Sequence, residues 1–250
     1  MLRAMQRVLI FGATSAIASE AALIYARQHC RLHLVGRNAE KLRALAERCA
    51  GAETTSEAAD FSNLEANAAL VQRALATLGG ADTVLIAHGD LGDQLASERS
   101  FAEADRIFRV NYSSVVSLLI PLANHLETAR AGRLGVITSV AGDRGRPRNY
   151  SYGAAKGALN IYLQGLRTRL HPAGVSVTTL KLGPVDTPMT RDHGKHALFG
   201  KAPRVAESIV RALESRVAEA YVPSFWRAIM PVVKNTPESL FQRLPFLSGR

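Results

Sequence analysis

Short apolar runs alternate along this chain with longer segments in which apolar residues recur at helical spacing. Runs of four to eight apolar, often β-branched residues are typical of buried strands. We therefore predict strands over residues 8–11, 32–35, 83–87, 134–138 and 175–182, a weak strand ending at Asp60, and a short edge strand at 221–222. The intervening segments predict helices over 15–28, 39–50, 62–78, 101–128, 150–170 and 205–217. Asn38 is expected to cap the second helix and Pro121 to strain the fourth.

This strict alternation predicts one parallel sheet, because right-handed crossovers connect parallel strands and place helices on both faces. We predict a single-domain α/β fold of the Rossmann type, with a doubly wound parallel sheet over residues 1–222 and an amphipathic C-terminal tail over 223–250. Ligands of such sheets bind outside the carboxyl ends of the strands. The loops that follow the strands are therefore the candidate walls of a site.

Composition and charge narrow the classes of function. The 250 residues are 47 % hydrophobic and 21 % charged, an ordinary globular composition that excludes disorder as the main state. Cys30 and Cys49 are the only cysteines, so we expect a reducing, cytoplasmic compartment. No apolar run approaches the ~18 residues of a membrane span. The net charge of +10 favours an anionic partner, which could be nucleic acid, a membrane surface or an acidic substrate.

The turn after the first strand is a candidate dinucleotide-binding loop. Free N–H groups and the positive end of the helix dipole would face a diphosphate there, and small residues would let it approach the backbone. The loop has a single glycine, so its match to a glycine-rich fingerprint is weak and an ordinary tight turn stays an alternative. The candidate cofactor-binding residues are Gly12, Thr14, Ser15, Ala16 and Ile17.

The end of the second strand bears on which nicotinamide cofactor is bound. An acid there holds the ribose hydroxyls of NAD, whereas an arginine accommodates the 2′-phosphate of NADP. Gly36 followed by Arg37 favours NADP(H) over NAD(H), with an exposed arginine at a helix start as the alternative. Asp60 and Phe61 end the third strand, where the carboxylate could meet the adenine amino group or cap the following helix.

Tyr152 and Lys156 are the strongest chemical signal, because residues four apart share one helix face. Ser139 ends the fifth strand, and Asn111 lies within the preceding long helix. An ammonium about 5 Å from a phenol favours the phenolate by roughly 3 kcal/mol at an effective dielectric of ~20. We therefore expect Lys156 to lower the pKa of Tyr152, so that Tyr152 can protonate an oxyanion with Ser139 as a second donor.

With these residues in place, the sequence resembles the short-chain dehydrogenase/reductase family over residues 7–222. The resemblance implies that Tyr152 donates a proton, Ser139 orients the carbonyl, Lys156 binds the nicotinamide ribose, and Asn111 holds a water linked to Lys156. Further cofactor contacts are implied at Ala87, Gly89, Gly183, Val185 and Thr187. The chain departs from the family pattern at Ala16, Ala18 and Leu182 and over residues 86–89.

Two segments bear on the substrate. The loop between Ser139 and Tyr152 carries three arginines, which could bind a phosphate or form a solvated basic loop: Arg144, Arg146 and Arg148. The tail interleaves apolar residues with cations, as interfacial membrane helices do, but an oligomer contact or a lid over the pocket is equally open. Its apolar residues are Phe225, Trp226, Ile229, Met230, Val233, Leu240, Phe241, Leu244 and Phe246, and its cations are Arg227, Lys234, Arg243 and Arg250.

Three stretches resemble one branch of the family, the decaprenylphosphoryl-2-keto-erythropentose reductases: the loop at 89–93, the segment from Ser139 to Gly165, and the tail from Phe225 to Phe246. The resemblance implies reduction of the 2-keto group of a polyprenyl-phosphate pentose, in sequence with a flavin-dependent oxidase partner. It also implies NADH as the cofactor, in contrast to what Arg37 indicates. His88 would lie near the nicotinamide, either as a loop residue or as a substrate contact.

Two other functions stay open. A generic ketoreductase acting on a soluble or acyl-carrier-bound ketone would also explain the positive charge, because such carriers are acidic. A non-catalytic nicotinamide-binding protein would typically lack the tyrosine or the lysine, and this chain has both. We expect no metal site, and no nucleic-acid partner because no recognition motif is present. We also expect a homodimer or homotetramer in the cytoplasm, with peripheral membrane contact through the tail as an open possibility.

Overall fold

Apolar strands and amphipathic helices alternate in the computed structural model, which describes residues 5–190 and 198–244. The strands are β1 (Arg7–Phe11), β2 (Arg31–Gly36), β3 (Thr54–Ala58), β4 (Thr83–Ile86), β5 (Arg133–Ser139), β6 (Ser176–Leu182), β7 (Val185–Asp186), β8 (Gly200–Lys201) and β9 (Glu219–Val222). Seven of them form one parallel sheet in the order β3-β2-β1-β4-β5-β6-β9, and β7 pairs with β8 in a separate ribbon. The edge strand predicted at 221–222 is confirmed as β9, which lies at one edge of the sheet and pairs in parallel with β6.

Helices cover both faces of this sheet. They are α1 (Ala16–Arg27), α2 (Ala39–Arg48), α3 (Asn67–Leu78), α4 (Gln94–Ser97), α5 (Phe101–Phe108), α6 (Ser114–Ala129), α7 (Tyr150–Leu170), α8 (Ala202–Glu214), α9 (Trp226–Asn235) and α10 (Glu238–Phe241). Successive strand residues point to opposite faces, so Leu9 and Phe11 pack with α3, α6 and α7, whereas Val8 and Ile10 pack with α1, α2 and α8. The predicted Rossmann-type fold is confirmed.

The long helix predicted before the fifth strand is interrupted, but not at its proline. Pro121 lies inside α6, and a π-helical turn at Arg109–Ser113 separates α5 from α6 instead. In this turn the Asn111 side-chain amide donates to the carbonyl oxygens of Ile107 at 2.9 Å and Asp90 at 2.7 Å. The wide turn thus connects Asn111 to the loop after β4, and such turns are frequent at functional sites.

The segment after β3 also differs from its prediction. Asp60 does not cap a helix that begins at residue 62, because α3 begins only at Asn67. The Asp60 carboxylate instead accepts hydrogen bonds from the Ser62 backbone N–H at 3.0 Å and hydroxyl at 2.8 Å. Asn38, in contrast, caps α2 as predicted, since its side chain accepts from the Lys41 N–H at 2.8 Å.

The C-terminal tail packs against the rest of the domain. Trp226, Met230, Val233 and Phe241 are buried in one cluster with Val140, the residue after Ser139. These four apolar side chains are therefore turned inward, and of the roles left open for the tail a membrane-facing one does not apply to them. Phe225, Val232 and Leu240 stay exposed, while the predicted tail residues Phe246 and Arg250 lie outside the described residues. None of the helices in the described ranges has the length and apolar character needed to cross a bilayer.

Candidate active site

The turn after β1 lies directly against the loop that follows β4. Gly12 has a φ of 77°, a conformation that suits glycine. A Cβ on Gly12 would lie 2.6 Å from the His88 backbone nitrogen, in the loop after β4. The turn can therefore approach this loop only because residue 12 lacks a side chain.

The start of α1 presents unpaired backbone donors. The Ser15 hydroxyl caps the helix by accepting from the Ala18 N–H at 3.2 Å. Among the described residues, no acceptor is hydrogen-bonded to the N–H groups of Thr14, Ala16 or Ile17. Free donors at the positive end of a twelve-residue helix fit the diphosphate of a dinucleotide. Alanine at position 16 is compatible with this arrangement, since it already lies within the helix.

The ends of β2 and β3 form the neighbouring part of the site. Arg37 is exposed directly after Gly36. Hydrogen bonds from Ser62 lower the pKa of Asp60, and the charge of Arg37 lowers it further, which places the guanidinium near this carboxylate. Phe61 is buried instead, with its ring centroid 4.6 Å from that of His88. The Phe61 side chain therefore belongs to the core beneath the loop.

The four predicted catalytic residues converge at the carboxyl ends of β4 and β5. Lys156 Nζ lies 5.7 Å from the centroid of the Tyr152 ring and donates to the Ile137 carbonyl oxygen at 3.2 Å. A Cβ on Gly89 would lie 2.9 Å from Asn111 Oδ1 and 3.3 Å from Lys156 Nζ, so these two side chains flank Gly89. Ser139 ends β5 and acts on Tyr152 through a side-chain hydrogen bond.

Burial dominates the electrostatics of the tyrosine and the lysine. Removal from water raises the pKa of Tyr152 to about 12; the Ser139 hydrogen bond opposes this rise and the charge of Asp90 adds to it. Burial also lowers the pKa of Lys156 to about 8. The expected lowering of the Tyr152 pKa is therefore not found in the protein alone, because desolvation of the phenolate outweighs the effect of Ser139.

His88 is held as a neutral side chain. Its Nε2 lies 2.8 Å from the Ser114 hydroxyl, which donates to the Val110 carbonyl oxygen at 2.7 Å. With its proton committed to Val110, the hydroxyl must accept from Nε2–H, which leaves Nδ1 unprotonated. Burial lowers the pKa of His88 to about 3, and the charges of Lys156 and Arg37 act in the same direction.

The three arginines of the loop after β5 have different environments. The Arg144 guanidinium donates to the carbonyl oxygens of Val233 at 3.1 Å and Thr236 at 2.5 Å and forms an ion pair with Glu238 at 2.6 Å. The structure thus contradicts the prediction that Arg144 faces a substrate phosphate, because the tail occupies its donors. Arg148 is exposed.

Arg146 is an arginine of this loop that has no acidic partner among the described residues. It is half-buried, and among the described residues its guanidinium has one side-chain hydrogen bond, to Met230 Sδ at 4.0 Å. Its Nε is buried and unpaired within the described part of the chain. Burial lowers its pKa without a compensating acid.

The remaining predicted cofactor residues lie after β4 and β6. Ala87 continues the sheet by donating its N–H to the Phe11 carbonyl oxygen at 2.8 Å. Gly183 lies directly against the indole nitrogen side of Trp226, and Val185 pairs with Gly200 in the β7–β8 ribbon. The Thr187 N–H donates to Thr190 Oγ1 at 3.3 Å.

Sequence reasoning missed a group of polar residues behind the loop after β5, in which the side chains of Lys181 and Asp143 are buried. Lys181, Asp143, Glu219 and Tyr221 form hydrogen bonds and ion pairs with one another. Lys181 offered a signal, since it is a charged residue inside an otherwise uncharged, buried strand. Its partners are distant in sequence and could not be identified from spacing.

Comparison with known proteins agrees with this geometry. Residues 6–197 match the short chain dehydrogenase family. An uncharacterized oxidoreductase of Mycobacterium tuberculosis is 35 % identical over 95 % of this chain and 96 % of the relative. An uncharacterized oxidoreductase of Streptomyces coelicolor is 32 % identical over 95 % of each chain.

Solved structures share the fold at low sequence identity. A short chain dehydrogenase from Burkholderia cenocepacia, solved in complex with NADP, has a TM-score of 0.82 at 19 % identity, over 96 % of this chain and 97 % of that one. Levodione reductase has a TM-score of 0.81 at 21 % identity, over 89 % of this chain and 98 % of that one. From the family match and the relatives together, the chain belongs to the short-chain dehydrogenase family and is an NAD(P)-dependent oxidoreductase.

Proposed function

We propose that this protein is an NADP(H)-dependent reductase of a ketone, and that the ketone is the 2-keto group of a polyprenyl-phosphate pentose. The convergence of Ser139, Tyr152, Lys156 and Asn111 beside the loop after β4 is the observation that carries the reaction. All four side chains stand at the carboxyl ends of parallel strands, where ligands of such sheets bind.

The roles of these residues follow from their chemistry. The nicotinamide cofactor supplies a hydride when bound. Tyr152 donates the proton that the carbonyl oxygen gains, and Ser139 donates a hydrogen bond to the same oxygen. Lys156 would bind the cofactor ribose through its ammonium, which the Ile137 carbonyl holds in place. Asn111 would hold the water through which Lys156 exchanges protons with solvent.

The preference for NADP(H) is supported by Arg37. Its guanidinium is exposed at the end of β2, and its charge acts on both Asp60 and His88. A 2′-phosphate at this position would accept paired hydrogen bonds from the Arg37 guanidinium, so no second basic residue would be needed. The diphosphate would be bound by the turn at Gly12 and by the free backbone N–H groups of Thr14, Ala16 and Ile17.

A phosphate-bearing substrate is supported by Arg146. A half-buried guanidinium without an acidic partner among the described residues is costly, and an anion would offset that cost. The exposed side chains of Phe225, Val232 and Leu240 offer an apolar outer face on the tail for a lipid or a membrane surface. A flavin-dependent oxidase that produces the keto sugar would be the functional partner, as the branch resemblance implies.

A turnover assay with matched substrates tests this proposal. NADPH and NADH oxidation would be compared for a polyprenyl-phosphate 2-ketopentose, the same ketopentose phosphate without the lipid, and a soluble 3-oxoacyl thioester. We expect the highest kcat/KM with NADPH and the lipid-borne substrate. Equal rates on the two pentoses would remove the lipid from the proposal, and preference for the thioester would favour the generic ketoreductase.

The tail's outer face can be tested separately. The double variant Val232→Asp, Leu240→Asp changes exposed residues only. We expect it to reduce binding to anionic vesicles and turnover of the lipid-borne substrate while preserving turnover of the soluble ketopentose phosphate. Equal kinetics on both substrates would show that the tail serves only as a packed part of the domain.

A further inference from the structure

An ion-pair network lies behind the loop that follows Ser139, with a buried pair, Lys181 and Asp143, and a partly exposed member, Glu219. Lys181 Nζ is 3.0 Å from Asp143 Oδ1 and 3.1 Å from Glu219 Oε2. The side chains of Lys181 and Asp143 are each only 4 % exposed. The Tyr221 hydroxyl donates to Asp143 Oδ2 at 2.7 Å, so both oxygens of this carboxylate have partners.

The network joins three neighbouring parts of the fold. Lys181 lies on β6, in register with Tyr221 of β9, and the next residue of β6 is in register with Ser139 of β5. Asp143 lies four residues after Ser139, at the end of the short turn Val140–Gly142. The Asp143 carboxylate therefore connects this turn, which follows β5, to β6 and β9.

The opposite side of the turn is held by α7. A Cβ on Gly142 would lie 2.7 Å from the Gly157 nitrogen and 2.7 Å from the carbonyl carbon of Lys156. The turn is thus clamped between the network and the backbone of the helix that carries Tyr152. Within the turn, the Ser139 hydroxyl accepts from the Ala141 N–H at 3.1 Å. Displacement of Asp143 would therefore be transmitted to Ser139.

Stability alone is a weak reason for this arrangement. Two buried charges cost desolvation energy, and an apolar pair of similar volume is often as stable or more so. What the ion pair adds is a fixed direction and distance for Asp143, because three partners with defined geometry hold the carboxylate and its lysine. The partners of Lys181 and Asp143 are Glu219 and Tyr221 rather than the catalytic side chains. Their effect on the reaction would therefore be exerted through the turn.

We propose that the Lys181–Asp143 ion pair, completed by Glu219 and Tyr221, positions the Ser139 turn for carbonyl reduction. Lys181 and Asp143 are positioning residues in this view. The inference rests on the proposed function, because the position of Ser139 matters for turnover only if a carbonyl is reduced there.

The test compares Lys181→Met, which removes the charge, with Lys181→Arg, which keeps it. Leu75→Ala in α3 serves as the matched control, since it creates a buried defect far from the turn. Hydrogen exchange of the Ala141 and Asp143 amides reports on the turn without any substrate. We expect Lys181→Met to accelerate both amides at least tenfold and Lys181→Arg to restore them to within threefold, while Leu75→Ala leaves them unchanged despite a lower Tm.

Kinetics with NADPH and a reactive soluble α-diketone supply the functional readout. We expect kcat of Lys181→Met to fall at least tenfold, while its NADPH dissociation constant stays within twofold of wild type. Unchanged amide exchange and unchanged kcat in Lys181→Met would overturn the proposal. A lower Tm with unchanged kcat would also overturn it, because the pair would then be structural only.

Two further variants keep the outcome interpretable. Asp143→Asn keeps the size of the side chain and replaces Lys181→Met as the test should that variant fail to fold. We expect the same changes in amide exchange and kcat at smaller amplitude. Wild-type exchange and wild-type kcat in Asp143→Asn would then overturn the proposal. Tyr152→Phe separates the two levels of argument. Turnover retained in Tyr152→Phe would refute the proposed function, whereas a dead Tyr152→Phe beside a fully active Lys181→Met would refute the positioning role alone.

Discussion

Lys156 Nζ is held 5.7 Å from the centroid of the Tyr152 ring by a hydrogen bond to the Ile137 carbonyl oxygen at 3.2 Å. Ile137 lies two residues before Ser139 on β5. β5 therefore positions both groups beside Tyr152. It holds the Lys156 ammonium through the Ile137 carbonyl oxygen, and it carries the Ser139 hydroxyl on its last residue. The distance between the two strand residues is fixed by the pleat, so the geometry does not depend on a loop.

Replacing Tyr152 by phenylalanine removes the proton donor and little else. Because general acid catalysis contributes about 10²- to 10⁴-fold, we expect kcat to fall by about 10³-fold. Cofactor affinity should stay within twofold of wild type, since the ring and Lys156 remain. NADPH oxidation measures the first quantity, and quenching of the fluorescence of Trp226, the chain's single tryptophan, measures the second.

Tyr150→Phe is the matched control for this variant. Tyr150 lies on the same helix, two residues earlier, and is 45 % exposed. We expect wild-type kcat in this control. Substantial turnover in Tyr152→Phe, or an equal loss in Tyr150→Phe, would contradict the assignment of the proton donor.

Lys156→Met should stabilise the protein while inactivating it. Burial lowers the pKa of Lys156 from 10.5 to about 8, so the folded protein carries the buried charge at a cost of about 3 kcal/mol at pH 7. Between about pH 8 and 10.5 the folded protein releases this proton while the unfolded chain keeps it, so wild-type stability rises with pH across this window. The advantage of the methionine variant should therefore be largest below pH 8 and disappear above about pH 10.5.

Denaturant unfolding at several pH values measures this difference. The free energies of unfolding of wild type and Lys156→Met would be compared between pH 7 and pH 10.5, without cofactor. Leu159→Met, a buried and uncharged neighbour on the same helix, controls for the change in side-chain shape. A variant less stable than wild type at pH 7 would show that the Ile137 hydrogen bond outweighs the desolvation of the ammonium.

Arg37→Ala should change cofactor preference rather than chemistry. A guanidinium–phosphate contact is worth about 1.5–3 kcal/mol, so we expect KM for NADPH to rise by about 10- to 100-fold, with KM for NADH changed by less than twofold. Arg43→Ala, which replaces an exposed arginine on α2, the helix that follows Arg37, should leave both constants unchanged. Equal effects on the two cofactors in Arg37→Ala would refute a role in binding the 2′-phosphate.

The fold could be predicted from the sequence because its signals are local. Apolar runs such as the one at β1 are buried on both faces, and the cap residues Ser15 and Asn38 mark where helices begin. The sequence predicts strain at Pro121, which is a local signal, but it does not predict the π turn, because that turn depends on a hydrogen bond from Asn111 to Asp90 in another loop. That hydrogen bond is a tertiary contact, which no pattern in the helix itself announces.

The candidate site shows the same division. Tyr152, Lys156 and Ser139 could be identified because one helix spacing and one strand end bring them together. The three arginines of the following loop look alike in sequence, yet Arg144 is bound by the tail and Arg146 is left without an acid. The difference is set by where the tail packs, and this depends on contacts between residues about 90 positions apart.

The Arg144 contacts predict that this residue fastens the tail. Its guanidinium donates hydrogen bonds to the carbonyl oxygens of Val233, Lys234 and Thr236, which the end of α9 would otherwise leave unpaired. The Cζ atom of Arg144 also lies 4.0 Å from the centroid of the Phe241 ring. Arg144→Met keeps an apolar stem but removes the donors, so we expect a loss of about 2 kcal/mol in unfolding free energy and a Tm lower by about 5 °C. Amide exchange in α9 should accelerate more than in α1. Arg148→Met, at an exposed position in the same loop, should change neither quantity, and an unchanged Tm with unchanged α9 exchange in Arg144→Met would show that the apolar cluster alone holds the tail.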